Sequence, residues 1–174
     1  MNFSELIIGR RSIRRFTDKD ISAEDARVII QAALLSPSSK MSRPWHFILV
    51  EEKEVLEKLS ETRAMGAAPI AACKLAVVVA ADSSLTGAWI EDASIAATYI
   101  QLQAQALGLG TCWIQVRDRF DKNGDATDDK MRDILGVPEN ISIECVIVIG
   151  YPAEDKKPQN IDKLLWERVH IGKW

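Results

Sequence analysis

The chemistry this chain can do is concentrated in Arg10-Arg11-Ser12-Ile13-Arg14-Arg15-Phe16. Four guanidinium groups and one hydroxyl lie within these seven residues. Planar guanidinium forks suit phosphate and carbonyl oxygens, so the pattern points to anion binding. A solvated basic turn carries the same charges, but it has no use for Ile13 and Phe16 as apolar anchors. Phe3, Leu6 and Ile7 recur at helical spacing and predict a helix over residues 3–11. Side chains and backbone N–H groups at its end could then converge on one anion.

Other reactive patterns are absent or incomplete. There is no G-x-x-x-x-G-K-[ST] sequence and so no P-loop. Gly108-Leu109-Gly110 opens like a dinucleotide fingerprint, but Trp113 occupies the third glycine position. The surrounding order, helix then strand, is also the reverse of what that motif needs. Asp121-Lys122-Asn123-Gly124-Asp125 resembles a calcium loop superficially. Its glycine comes early and Arg132 stands where the closing glutamate belongs, so a solvated turn is expected. His46 and His170 have no partner at metal-ligand spacing and there is no Cys-x-x-Cys pair, so no metal site is expected. No serine sits in a nucleophile elbow, and Cys112 has no base beside it. With so little side-chain chemistry, a reaction on this chain requires a cofactor.

The elements that must position the arginines are legible in the periodicity. Ser22 opens a helix with Ala26, Ile29, Ile30, Ala33 and Leu34 inward, ended by Ser36-Pro37. A polar loop, 38–44, leads into a strand over 45–50, and a short amphipathic helix follows over 53–62. Gly66 and Pro69 are expected to break the next segment. Residues 75–81 form a continuous apolar run, the mark of a strand covered on both faces. Residues 88–107 read as the longest helix, apolar nearly all round and stopped by Gly108, so it must be buried in the core or against a second subunit. Strands are expected over 111–116 and 141–149, with a polar loop over 121–129 and a short helix through Met131, Ile134 and Leu135. The tail, 153–174, is polar yet holds Leu164, Leu165, Trp166, Val169, Ile171 and Trp174, which must pack on something. Helices alternate with strands, which makes the fold α/β or α+β.

At 174 residues the chain is read as one domain, 1–174, able to bury a real core. A net charge of −3 with no basic face excludes a nucleic-acid partner and leaves the arginines as a local site for a small anion. The three cysteines lie in apolar runs, as reduced thiols of a cytoplasmic protein do. Glu5 interrupts any export signal, and the glutamines and glycines of 93–116 argue against a membrane span.

Arg10-Arg11-Ser12-Ile13-Arg14-Arg15-Phe16 resembles the R-R-S-x-R-x-F opening of the nitroreductase family of flavin enzymes. Ser36-Pro37-Ser38-Ser39 with Pro44-Trp45 resembles that family's second flavin loop. Ala106-Leu107-Gly108-Leu109-Gly110 resembles its A-x-G-L-G element, and Gly150-Tyr151-Pro152 its G-Y-P turn. The four elements occur in order from about residue 9 to 152.

The resemblance implies an α+β fold with a central, mostly antiparallel sheet of about four or five strands flanked by helices. It also implies a domain-swapped homodimer with FMN at the interface, the helix 88–107 at the dimer core and the tail 153–174 wrapping the partner. By resemblance, Arg10, Arg11 and Ser12 hold the FMN phosphate and Arg14 the pyrimidine side of the ring. Pro37, Ser38, Ser39 and Lys40 come from the other subunit, Gly110 and Thr111 bring backbone close to the ring, and Lys173 is a further phosphate ligand. The implied reaction takes hydride from NADH or NADPH to flavin N5 and reduces nitroaromatics, quinones or related acceptors by a ping-pong mechanism. No side chain is assigned as acid or base. Two alternatives stay open: a different reductive reaction, such as dehalogenation or flavin breakdown, and a non-enzymatic flavin or nucleotide binder. The second loop departs from the family's S-x-x-N-x-Q-P, with Met41 and Arg43 at the asparagine and glutamine positions. On composition alone Ser38 and Ser39 are turn residues, Gly108 and Gly110 a helix stop and a tight turn, and Trp45 and Trp113 core.

Overall fold

The computed structural model describes residues 2–174. The apolar run becomes strand β2 (Leu75–Asp82), buried from Leu75 through Ala81. Strand β4 (Ile141–Gly150) pairs with it antiparallel, Leu75 opposite Ile149, with a register shift between Val79 and Ala80. Strand β1 (Trp45–Val50) flanks the other side of β2, and β3 (Gly110–Gln115) pairs with β4 so that Gly110 faces Gly150. The order is β1-β2-β4-β3 and every pair is antiparallel. The fold is therefore α+β with an antiparallel four-stranded sheet among helices, as the resemblance implied.

Successive residues of a strand point to opposite faces, so a strand without polar positions needs a cover on both. On one face, Leu75, Val77 and Val79 pack with Ile147 and Ile149 under α2 (Ala23–Leu34) and α5 (Trp89–Ala106), which supply Ile29 and Ile100. On the other, Ala76 and Val78 pack with Val146 and Val148. There the cover is α3 (Lys53–Glu61), α4 (Ala68–Ala72) and α6 (Thr127–Leu135), through Leu59, Ile70 and Met131. Truncating a fully buried residue such as Ile100 to alanine costs about 2–5 kcal/mol.

Helix ends follow local chemistry. The Ser22 hydroxyl accepts the Asp25 N–H at 3.0 Å, a cap worth about 1 kcal/mol. Gly136 closes α6 in the left-handed region, at φ 67°. The first helix, α1 (Phe3–Gly9), is shorter than its periodicity suggested, because Arg10 turns extended (φ −64°, ψ 124°) and carries the arginines out of the helix onto the sheet. Pro69 does not break its segment. It sits in the first turn of α4, where its missing N–H has no helical partner to lose. The loop expected over 121–129 ends earlier, because α6 begins at Thr127. No helix among the described residues is long and apolar enough to cross a membrane.

Candidate functional site

Once past α1, the arginine segment runs along the end of the sheet. The Ile13 N–H donates to the Thr111 carbonyl at 2.8 Å, and Ser12 bridges Thr111 in parallel. The Thr17 N–H donates to Tyr151 O and the Ala153 N–H to Arg15 O, both at 2.9 Å. Two glycines seat this strip. A Cβ on Gly110 would lie 2.8 Å from Ile13 Cβ, and one on Gly150 would lie 2.8 Å from the Phe16 ring. Ile13 and Phe16 are thus the anchors their size suggested. What a side chain at 110 would strike is Ile13.

Cys112 follows Thr111 on β3, beside the bridge that Ser12 makes to that strand. Burial raises its thiol, and Glu154 adds to that, while the Arg14 and Arg10 charges and Ser12 pull it the other way. Among the described residues no carboxylate forms an ion pair with Arg10, Arg11, Arg14 or Arg15. Glu154 engages the main chain instead, accepting the Arg14 N–H at 2.7 Å. That hydrogen bond and Lys156 hold its carboxyl below the usual range. One Arg11 N–H donates to the Lys157 carbonyl and fastens the start of the tail.

The second predicted group lies between α2 and β1. Pro37 is exposed and follows the buried Ser36. The Ser39 N–H donates to Asp92 Oδ1 at 2.8 Å, and the Arg43 N–H to Ser38 Oγ at 3.0 Å. Lys40, Met41 and Arg43 all adopt left-handed backbone, at φ 50°, 57° and 47°. Lys40 and Arg43 are exposed, and no carboxylate pairs with either among the described residues.

Within one protomer these two groups sit at opposite ends of α5. Ser39 is tied to Asp92 in its first turn, whereas Gly9 abuts Gln105 in its last. The stretch between Asp92 and Gln105 spans roughly 20 Å at 1.5 Å per residue. Gly110 and Thr111 are buried beside the arginines, where Thr111 Oγ1 lies 3.5 Å from Gln101 Nε2. Lys173 lies in the exposed tail, and no hydrogen bond or ion pair among the described residues ties 161–174 to the body of the chain. Sequence reasoning missed Asp92 and Glu154, and it read Gly150 as part of a turn motif without the Phe16 contact that needs it. The available signal for Asp92 was an acid at the head of an otherwise apolar helix; for Glu154 it was a carboxylate just after Gly150-Tyr151-Pro152.

The structure is thus an antiparallel α+β sheet whose end is bordered by arginines with no carboxylate ion pair among the described residues. The chain matches the Nitroreductase family over residues 7–88 and 76–151. It superposes on an FMN-dependent nitroreductase from Clostridium difficile with TM-score 0.95 and 46% identity, covering 99% of this chain and 100% of that one. A Parabacteroides distasonis structure, provisionally named NADH dehydrogenase/NAD(P)H nitroreductase, superposes with TM-score 0.89 and 30% identity over 98% of each chain. An Archaeoglobus fulgidus protein with the same provisional name is 37% identical over 175 residues, 98% of this chain and 97% of its own. The chain belongs to the nitroreductase family and is an oxidoreductase.

The donor set fits FMN. A phosphate dianion and a ring edge rich in acceptors need cations and N–H or O–H donors. Arg10, Arg11, Ser12 and Arg14 carry such groups, and among the described residues no acid forms an ion pair with these arginines.

Proposed function

We propose that this chain is an FMN-dependent oxidoreductase that takes electrons from NADH or NADPH and reduces nitroaromatics, quinones or related small acceptors. It works as a homodimer with each flavin held by both protomers. The observation that carries this reading is the docking of the arginine segment on the sheet end, where Ser12 bridges Thr111 and the Ile13 N–H donates to the Thr111 carbonyl, with no carboxylate ion-paired to Arg10 or Arg14 among the described residues.

Each residue has a task its chemistry suits. Arg10, Arg11 and Ser12 hold the phosphate, with Arg11 keeping N–H donors beyond the one given to Lys157. Arg14 places a cation on the pyrimidine side of the ring, where it favours the anionic reduced form. Gly110 and Thr111 bring the buried β3 backbone beside the arginines. Pro37, Ser38, Ser39 and Lys40 act from the second protomer. Their distance along α5 from the arginines of their own chain supports a shared site that needs two copies. Lys173 reaches the partner's phosphate from the tail.

The dimer reading rests on apolar surface. Phe3 (67% exposed), Ile7, Ile95 and Tyr99 line the outer sides of α1 and α5, and a cavity of about 300 Å3 opens between Phe3, Leu6, Ala32, Tyr99 and Leu102. A second protomer covers this face and receives the tail. When bound, FMN supplies the hydride-accepting and hydride-donating centre, so donor and acceptor use one site in turn and the kinetics are ping-pong. Arg43 adds a cation to that site and favours acceptors bearing a carboxylate.

The test is the visible spectrum of the purified protein before and after anaerobic NADH or NADPH. A yellow protein whose flavin bands bleach on reduction is expected. A colourless protein that takes up no FMN overturns the reading. A flavin that no nicotinamide reduces would favour a binder without turnover.

A further inference from the structure

We propose that Asp92 is the positioning residue of the loop 38–43, a buried carboxylate that holds the loop in its flavin-facing shape before any ligand arrives. The inference rests on the FMN reading above, since it gives that loop its role. Three consequences of the geometry lead to it.

The loop's shape is costly by itself. Left-handed backbone puts Cβ against the following carbonyl, a conformation L-residues adopt at a cost, and Lys40, Met41 and Arg43 all adopt it. None of the three is a glycine or asparagine, the residues that tolerate it best. Strain of this kind persists only where surrounding contacts over-determine it.

Asp92 is the contact that does so. It is 3% exposed, in the first turn of α5, and accepts the Ser39 N–H at 2.8 Å, with Ser42 Oγ at 3.5 Å. The Ser38 hydroxyl closes the far side by accepting the Arg43 N–H at 3.0 Å. One carboxylate thus reaches both Ser39 and Ser42 and brackets the left-handed pair Lys40-Met41.

The carboxylate has no other evident employment. Among the described residues it forms no ion pair with a cation. Its charge is met by the loop N–H and by the N-terminus of α5, whose dipole favours an anion. A buried, hydrogen-bonded carboxylate is costly to desolvate, and here that cost is set against the order of one loop. A loop ordered in advance loses less conformational entropy when a ligand docks.

The experiment compares wild type, Asp92→Ala and Asp92→Asn. It reads amide hydrogen exchange of residues 39–43 in the flavin-free protein, and FMN dissociation constants from quenching of flavin fluorescence. Removing a hydrogen bond to a charged acceptor should speed loop exchange and weaken FMN binding by about tenfold to a hundredfold. In Asp92→Ala the amides around Ile100 should keep their protection. Asp92→Asn retains an acceptor oxygen and should recover part of both losses, which a change in bulk packing would not predict. Unchanged loop exchange and FMN affinity in both variants would overturn the proposal. So would a loss of protection spread equally through α5. Should Asp92→Ala fail to fold, Met41→Gly supplies the second comparison. It relieves strain without touching Asp92, and its loop should stay protected if the carboxylate does the holding; exchange as fast as in an unheld loop counts against it. A wild-type protein that binds no FMN would defeat the flavin reading, while the exchange data would still decide whether Asp92 holds the loop.

Discussion

A methyl group at position 110 has nowhere to go. The place a Cβ would take is 2.8 Å from Ile13 Cβ and 2.9 Å from both of that residue's γ carbons. Gly110→Val should therefore lift the arginine strip off β3 and destabilise the protein by about 1–3 kcal/mol, read as a lower denaturation midpoint. FMN affinity should fall with it, because Ser12 and Thr111 share that bridge. Ile13→Ala, combined with Gly110→Val, should return part of the stability by making room. The anchors themselves were legible in the sequence, because large apolar residues among arginines have few other uses. The glycine's task was not. Its neighbour comes from far along the chain, and local spacing carries no record of a contact closed by the sheet. Asp92 was hidden for the same reason, since its partners Ser39 and Ser42 lie in a different segment.

At the scale of elements, the turn before α6 is held more tightly than its polar composition suggested. It was read as a solvated turn, yet the Asp121 side chain is only 8% exposed. It accepts the N–H groups of Asn123 at 2.8 Å and Asp125 at 2.9 Å, and it pairs with Lys130 from α6. The Lys130 hydrogen bond is the largest influence and holds the carboxyl down at about 2. A carboxyl depressed in the folded state lends stability that is complete above its unfolded value, about 3.9, and is lost as the pH falls through the folded one. Asp121→Asn should thus lower the urea midpoint at neutral pH. The gap from wild type should narrow as the pH drops from about 4 toward 2. Helices and strands themselves were largely readable, because α2 carries a clear helical period while β2 and α5 are apolar runs whose lengths separate strand from helix. Errors gathered at ends: α1 stops at Gly9, and Pro69 starts a helix it was expected to prevent. In both cases a tertiary contact or an N-terminal position decided what periodicity could not.

For the whole molecule, the tail is the feature that a single chain leaves unfinished. Trp166 is 70% exposed, Ile171 96% and Trp174 fully so. Each side chain of this size gains about 1.5–3 kcal/mol on burial, so together they outweigh several decades of affinity at 1.4 kcal/mol per decade. Deleting residues 161–174 should leave the far-ultraviolet circular dichroism nearly unchanged, because among the described residues no hydrogen bond or ion pair ties that stretch to the body. It should shift the sedimenting species from dimer to monomer and release the flavin. A truncated protein that stays dimeric and yellow would remove the tail from the assembly.

That same tail bears on how long a lone chain survives. Lys163, Arg168 and Lys173 are interspersed with Leu164, Leu165, Trp166, Val169 and Ile171 in an accessible tail that holds only two short 3-10 turns, Ile161–Lys163 and Trp166–Arg168, the kind of segment proteases cut first. In the proposed homodimer a protomer that finds its mate would hide this tail, whereas a solitary one would leave it on display. Proteolysis of the tail would then track the ratio of paired to solitary chains, with dilution speeding the cut.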